Sequence, residues 1–363
     1  MNPLNTWQKK QATLLYMFAS DDYLKELYQR VHQLQDYADA LLNKSRNEGR
    51  DQFLHDAQWG DRNTSENWSN NAWALLADFR LSLTRDIADR QSQIYRITGA
   101  NQCGRGLSEF SMEWTTPAEQ KTFDDMFESI SHYAGYIDNT MDKFHRAGRW
   151  NDFRLSMAWA KHSPQFSKLP LFKIHEDIEG ETGKTPPKTG VYISTDHPNG
   201  TLQFAWNGDE HGKLRECAIF NRLGDSALAT VGRSKLWLDG DAMLKFVLSN
   251  QNSPELLEDS YFEKSHTPVL APSLVGRNAF TSAPSKWCYI ELLPDEFEPI
   301  AAEADEFEYV QRRFEADKRC EVSGFYFTPA SQGSRRYFKQ GEIFPSVESN
   351  YGKTIWQWDP DQN

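Results

Sequence analysis

His175-Glu176-Asp177, Gly104-Arg105-Gly106, Cys320 beside Lys318 and Arg319, and a dense run of acids after Cys288 are the places in this chain where residue type and spacing could do chemistry. None of the nine histidines falls in an HxH or HExxH pattern. His197 and His211 flank a candidate hairpin and could approach each other, but zinc needs three or four ligands and a supporting shell. No metal and no other cofactor is expected. His175-Glu176-Asp177 reads as a solvated loop. Gly104-Arg105-Gly106 lacks the rest of a phosphate-binding pattern, with no strand leading into it, and reads as a loop or helix cap. No GxSxG occurs, and Ser323-Gly324 follows Val322, so a nucleophile elbow fails. The cations beside Cys320 would favour a thiolate, but no histidine base follows, and a buried structural cysteine is the better reading.

Between Cys288 and Gln311 stand Glu291, Asp295, Glu296, Glu298, Glu303, Asp305, Glu306 and Glu308, with no basic residue. Glycosidase chemistry needs two carboxylates held singly in a cleft with their pKa values pushed apart. A dense run reads instead as a solvated face or a docking face for a basic partner. Arg335-Arg336, beside Tyr337 and Phe338, could clamp a phosphate, yet adjacent residues of a strand point to opposite faces. The expectation is that one arginine pairs with an acid of the same chain, for which the 291–308 run is a candidate source.

These residues sit on a 363-residue chain, long enough for two cores, with 39% hydrophobic and 13% aromatic residues. The net charge of −12 disfavours nucleic acid and anionic membrane surfaces. Four widely spaced cysteines without a CxxC suggest reduced thiols. No apolar stretch suits a secretory signal or a membrane span, so a cytoplasmic location is expected.

The first half has helical periodicity. Asp21-Asp22 is expected to cap a helix carrying Leu24, Leu27, Val31, Leu34 and Ala38 on one stripe, and a second stripe holds Trp73, Leu76, Phe79, Leu83 and Ile87. ITGANQCGRGLSEFSMEW, residues 97–114, breaks the helical pattern and reads as a loop. Thr116-Pro117-Ala118-Glu119 is a capping box with proline at the first helical position, and Asn151 starts another helix. Composition shifts over 162–190, which places a boundary between a helical domain at 1–164 and an α+β domain at 165–363. Beyond it the period becomes two: strands at 190–195 and 201–206 around Asn199-Gly200, a hairpin signal, then 213–220, Lys286–Pro294 and the segments near 322–329 and 335–345. Helices are expected near 226–233, at 241–249 behind an Asp241 cap, and at 302–317. The fold class is therefore α+β, an N-terminal helical bundle followed by an α+β domain with an antiparallel sheet.

The second half carries a resemblance. GVYISTDHPNGTLQFAWNG, then FNRLGDSALATVGRSKLW, then CEVSGFYFTPASQGSRRYFKQGEIFP resemble, over roughly 185–346, the bacterial polymorphic-toxin immunity proteins of families 71 and 72. The matching positions are Phe220-Asn221, Gly224, Ala227-Leu228, Val231-Gly232-Arg233, Leu236-Trp237, Cys320, Ser323-Gly324, Arg335-Arg336, Phe338, Gly341-Glu342 and Pro345. The resemblance implies a non-enzymatic role: binding a cognate secreted toxin, delivered by type VI secretion or by contact, and protecting the producing cell. It carries over no catalytic residue. An acidic protein suits a toxin with a basic active-site face, and an ADP-ribosyltransferase is favoured over a nuclease. The expected docking residues are Asp196, His197, Asp209 and Glu210 on one loop and Asp295, Glu296, Glu298, Glu303, Asp305 and Glu306 on the acidic segment. The competing reading is an enzyme, either a hydrolase of sugar-like substrates or one that reverses a toxin's modification. Ser323-Gly324 and Gln332-Gly333 are expected to make turns of a C-terminal scaffold hairpin.

Overall fold

The computed structural model describes residues 3–56, 58, 60–143, 150–300, 313–320, 324–328, 330–331, 333–339, 341–347 and 354–359. The chain forms two compact units, one of Met1–Ile219 with Ser282–Pro299 and one of Phe220–Thr281 with Ile300–Asn363. The change from helix to strand comes within the composition shift at 162–190. The units divide the chain elsewhere, because the strand after Ser282 returns to pair with strands of the first unit.

Six helices open that unit: α1 (Thr6–Phe18), α2 (Asp21–Glu48), α3 (Ser65–Asp89), α4 (Ala100–Leu107), α5 (Pro117–Met141) and α6 (Asp152–His162). Their ends follow the sequence. The Thr116 side chain accepts from the Glu119 amide and Glu119 reaches back to Thr116, Asn151 caps α6, and Gly49 closes α2 at φ 64°, where a side chain would strain the backbone. The cap of α2 is Ser20, which accepts from the Tyr23 amide; Asp21 and Asp22 lie in the first turn. The stripes fill the core: Leu24, Leu27, Val31, Leu34 and Ala38 meet Leu76, Phe79 and Leu83, all buried.

The loop expected over 97–114 is corrected in its middle, where Ala100–Leu107 is α4; 97–99 and 108–114 are irregular as expected. A Cβ at Gly104 would stand 3.0 Å from the Phe127 ring and one at Gly106 2.7 Å from Leu75. The glycines that read as turn residues instead let α4 lie close against α5 and α3. Gln35 on α2 is 2% exposed, and both polar atoms of its amide lack a hydrogen-bond partner among the described residues. Gln35→Met keeps the length and removes the orphaned amide, so it is expected to raise stability by roughly 1–3 kcal/mol, read as a higher urea midpoint at unchanged m.

The sheet of the first unit has the order β1 (Lys168–Glu181), β6 (Lys286–Pro299), β2 (Gly190–Ser194), β3 (Gln203–Ala205), all antiparallel. Tyr192, Ala205, Leu214, Cys217, Trp287 and Tyr289 form its buried core. β2 and β3 pair as expected, but Gly190↔Ala205 to Tyr192↔Gln203 is the whole ladder. A longer connection replaces the two-residue turn, and Gly200 is not at positive φ. β1 lies inside the 162–190 segment, which reads only as a shift of composition. Pro170, its charges and two bulges hide the period of two, and its partner is more than a hundred residues away.

Two short strands, β4 (Cys217–Phe220) and β5 (Phe280–Ala283), pair with each other, and β4 is the only strand within 213–220. In the second unit α7 (Arg222–Val231) is capped by Asn221, and α8 (Gly240–Ser249) by Asp239 rather than Asp241. α9 (Pro254–Leu257) and α10 (Ala271–Asn278) follow. A C-terminal sheet runs β7 (Arg313–Glu315), β10 (Ile355–Trp358), β8 (Gly324–Phe327), β9 (Arg336–Phe338). The helix expected over 302–317 is corrected at its end, where 313–315 is strand; its earlier part lies outside the described residues. Gly324 starts β8 rather than making a turn. Gly333, at φ 75°, does turn the chain, and Ser334 holds the connection by accepting from the Thr328 amide at 2.8 Å and donating to the Thr328 carbonyl at 2.7 Å.

Candidate functional site

The β1–β6 ribbon is irregular in two places. Pro170 pairs with Phe297 and Phe172 with Leu292, so Leu171 alone on β1 faces residues 293–296 of β6. Farther along, His175 pairs with Tyr289 and Glu179 with Cys288, so residues 176–178 of β1 face no residue of β6. Extra residues on one strand bend it and re-aim its side chains. Pro294 supplies no amide to the ladder, and Asp295 takes φ 61°, outside strand geometry. Both bulges carry a pair of acids, Glu176-Asp177 and Asp295-Glu296, and all four are exposed. At the usual rise the bulges stand roughly 10–13 Å apart along the ribbon. Leu292 and Phe297, 36% and 55% exposed, flank the second one.

His175 stands at the foot of the first bulge, half-buried. Its Nε2 lies 2.7 Å from Glu291 Oε2 and its Nδ1 3.6 Å from Asp177 Oδ1. Lys188 Nζ reaches Glu291 Oε1 at 3.8 Å and lies over the Tyr289 ring. The hydrogen bond from His175, then Lys188, holds the Glu291 carboxyl below the usual range against the smaller effect of desolvation. Behind it, burial holds the Tyr16 phenol protonated; its hydroxyl donates to the Ile290 carbonyl and accepts from the Val191 amide, which ties α1 to the sheet. The solvated loop expected at His175-Glu176-Asp177 is therefore corrected: it is strand and bulge, with the imidazole committed to two carboxylates. Among the described residues no hydroxyl or thiol is hydrogen-bonded to His175. The arrangement can hold charge and shape, and it presents no activated nucleophile.

The expected docking residues divide by what they already hold. Asp196 accepts from the Lys286 amide at 2.8 Å, which holds its carboxyl below the usual range. His197 donates its amide to Ser194 Oγ. Asp209 accepts from the Trp206 indole at 2.9 Å and from the His211 amide at 3.0 Å. These three shape their own loops. Glu298 is paired with Lys9 Nζ at 2.6 Å. Glu210, Asp295 and Glu296 are exposed and have no ion pair among the described residues. Glu303, Asp305 and Glu306 lie outside the described residues. The exposed Leu292 and Phe297 are not singled out by the sequence, although Pro294-Asp295 beside them is a turn signal within the strand.

All four cysteines are buried and free. Burial pushes the Cys103 and Cys217 thiols up to about 12, so neither supplies a thiolate near neutral pH. No group of three or more histidine, cysteine or acidic side chains arranged to hold a metal ion occurs among the described residues, and none of their helices is long and apolar enough to cross a membrane. In comparisons with family models, curated proteins and solved structures, the chain matches none.

Proposed function

We propose that this chain is a cytoplasmic immunity protein that neutralises a secreted antibacterial toxin by binding it and occluding a basic active-site face. The observation that carries this reading is the bulge at 293–296, which projects Asp295 and Glu296, unpaired among the described residues, between exposed Leu292 and Phe297. Exposed acids accelerate encounter with a cationic surface, and apolar side chains beside them supply affinity once solvent is excluded. The resemblance of residues 185–346 to toxin immunity proteins points the same way and favours an ADP-ribosyltransferase as the target. The partner is a protein, with neither nucleic acid nor membrane involved.

The test is to co-purify the chain with the product of the adjacent gene and titrate inhibition of that product's activity. Inhibition complete at one equivalent is expected; rescue at catalytic amounts would mean an enzyme instead. Asp295→Lys with Glu296→Lys is expected to weaken inhibition tenfold or more, mostly through a slower association that raised salt mimics in the wild type. Unchanged inhibition by the double variant would remove this bulge from the interface.

A further inference from the structure

We infer that the exposed face of the β1–β6 ribbon around Leu292 and Phe297 is an anchor that seats in an apolar depression rimmed by lysine or arginine on a partner protein. This deepens the binding reading above and rests on it for the partner's identity, but not for the chemistry of the face. Three observations converge in one compact unit. Phe297 is 55% exposed although its strand neighbours are paired on the β1 side, and Leu292 stands opposite Phe172, whose own ring is stacked on Tyr16 6.3 Å away. The ladder is interrupted between these two residues by the 293–296 bulge, and Asp295 is fixed at φ 61°. Most exposed strand positions carry polar side chains, so an aromatic and a leucine on either side of an acidic tip form an apolar pair with a charged rim.

The rim selects the occupant. Lys9 is committed to Glu298, and Lys188 and His175 to Glu291; the exposed Lys173 stands opposite Glu291 in the ladder, away from the 293–296 bulge. Asp295 and Glu296 keep an exposed negative charge next to the apolar pair. A second copy of this chain would bring like charge to the same place, whereas a cationic surface with an apolar centre matches both features. The pair sits on a long strand tied to α1 through Tyr16 and Lys9, so little ordering is needed on binding.

The experiment uses the full chain and three synthetic probes followed by calorimetry and hydrogen exchange: a twelve-residue peptide of alternating lysine and leucine, dodecalysine, and the alternating peptide with glutamate for lysine. The lysine–leucine peptide is expected to bind several-fold more tightly than dodecalysine and to protect 291–298, and the glutamate peptide not to bind. Phe297→Ser should weaken the lysine–leucine peptide roughly tenfold and leave dodecalysine unchanged. Leu292→Ser should do the same to a smaller extent, and Asp295→Lys with Glu296→Lys should abolish binding of both. Equal binding of the lysine–leucine peptide to wild type and Phe297→Ser would overturn the proposal. So would a concentration-dependent dimer in sedimentation that Phe297→Ser dissolves, which would assign the face to a second copy. Failure of toxin inhibition with these peptide results intact would sink the immunity reading and leave the anchor standing.

Discussion

Asp138→Asn is expected to stabilise the protein at pH 8 and to flatten the dependence of its stability on pH. Asp138 lies on α5, half-buried, and accepts from the Thr98 amide at 2.5 Å and the Thr98 hydroxyl at 3.1 Å. Burial pushes its carboxyl from 3.8 up to about 7; the Thr98 hydrogen bonds oppose this, while the charges of Asp142 and Asp86 add to it. The folded state therefore holds this proton more tightly than the unfolded chain. Its contribution is fully present below pH 3.8 and is lost as pH rises through about 7. The span corresponds to roughly 4 kcal/mol. Asparagine still offers Thr98 a carbonyl oxygen and carries no charge. Urea midpoints measured from pH 5 to pH 8 should fall for the wild type and stay nearly level for the variant. Asp86, pushed by burial to about 6 against the pull of Arg96 and then Arg90, should behave the same way with smaller amplitude in Asp86→Asn. A variant with the wild-type slope would show that another group sets the pH dependence.

Phe338→Ala is expected to cost roughly 3–5 kcal/mol and to act through the C-terminal sheet. Phe338 is fully buried, with its ring 4.6 Å from Phe344, 4.9 Å from Trp356 and 5.8 Å from Tyr326. Cys320, Tyr326, Phe344 and Trp356 complete this aromatic core, which has short strands around it. Hydrogen exchange at 324–327 and 336–338 should rise together. The neighbouring arginines contribute less. Arg335 pairs with Asp359 at 2.5 Å and lies 4.0 Å over Phe325, and Arg336 lies 4.3 Å over Phe338. Arg335 thus pairs with an acid of the same chain, as expected, and that acid is Asp359; residues 301–308 of the acidic run lie outside the described residues. Partly exposed ion pairs and cation–π contacts contribute about 1 kcal/mol or less each. Arg335→Ala with Arg336→Ala should therefore destabilise by less than Phe338→Ala alone, and the reverse order would show that the guanidiniums, not the rings, hold the sheet.

The sequence by itself determined what depends on neighbours along the chain. The capping box at Thr116–Glu119, the Asn151 cap and the stripes of α2 and α3 are local effects of hydrogen bonding and solvent exclusion, so they are legible in order. The acidity of β6 was equally plain. Tertiary structure decided the rest, for reasons that act across the chain. Gly104 and Gly106 lie in α4, and the Phe127 ring and Leu75 stand where their side chains would be, so this GxG serves close helix packing, which no reading along the chain reveals. β1 is a strand because β6, a hundred residues later, supplies its hydrogen bonds, and a mismatch in register throws out the bulges at 176–178 and 293–296. The fold also sorted the acids: Asp196 accepts from the Lys286 amide, Asp209 holds Trp206 and the His211 amide, and Glu298 pairs with Lys9, while Asp295 and Glu296 face solvent. Which carboxylate is available to a partner is set by which amides and cations the fold brings within 3 Å of it, and composition cannot carry that information.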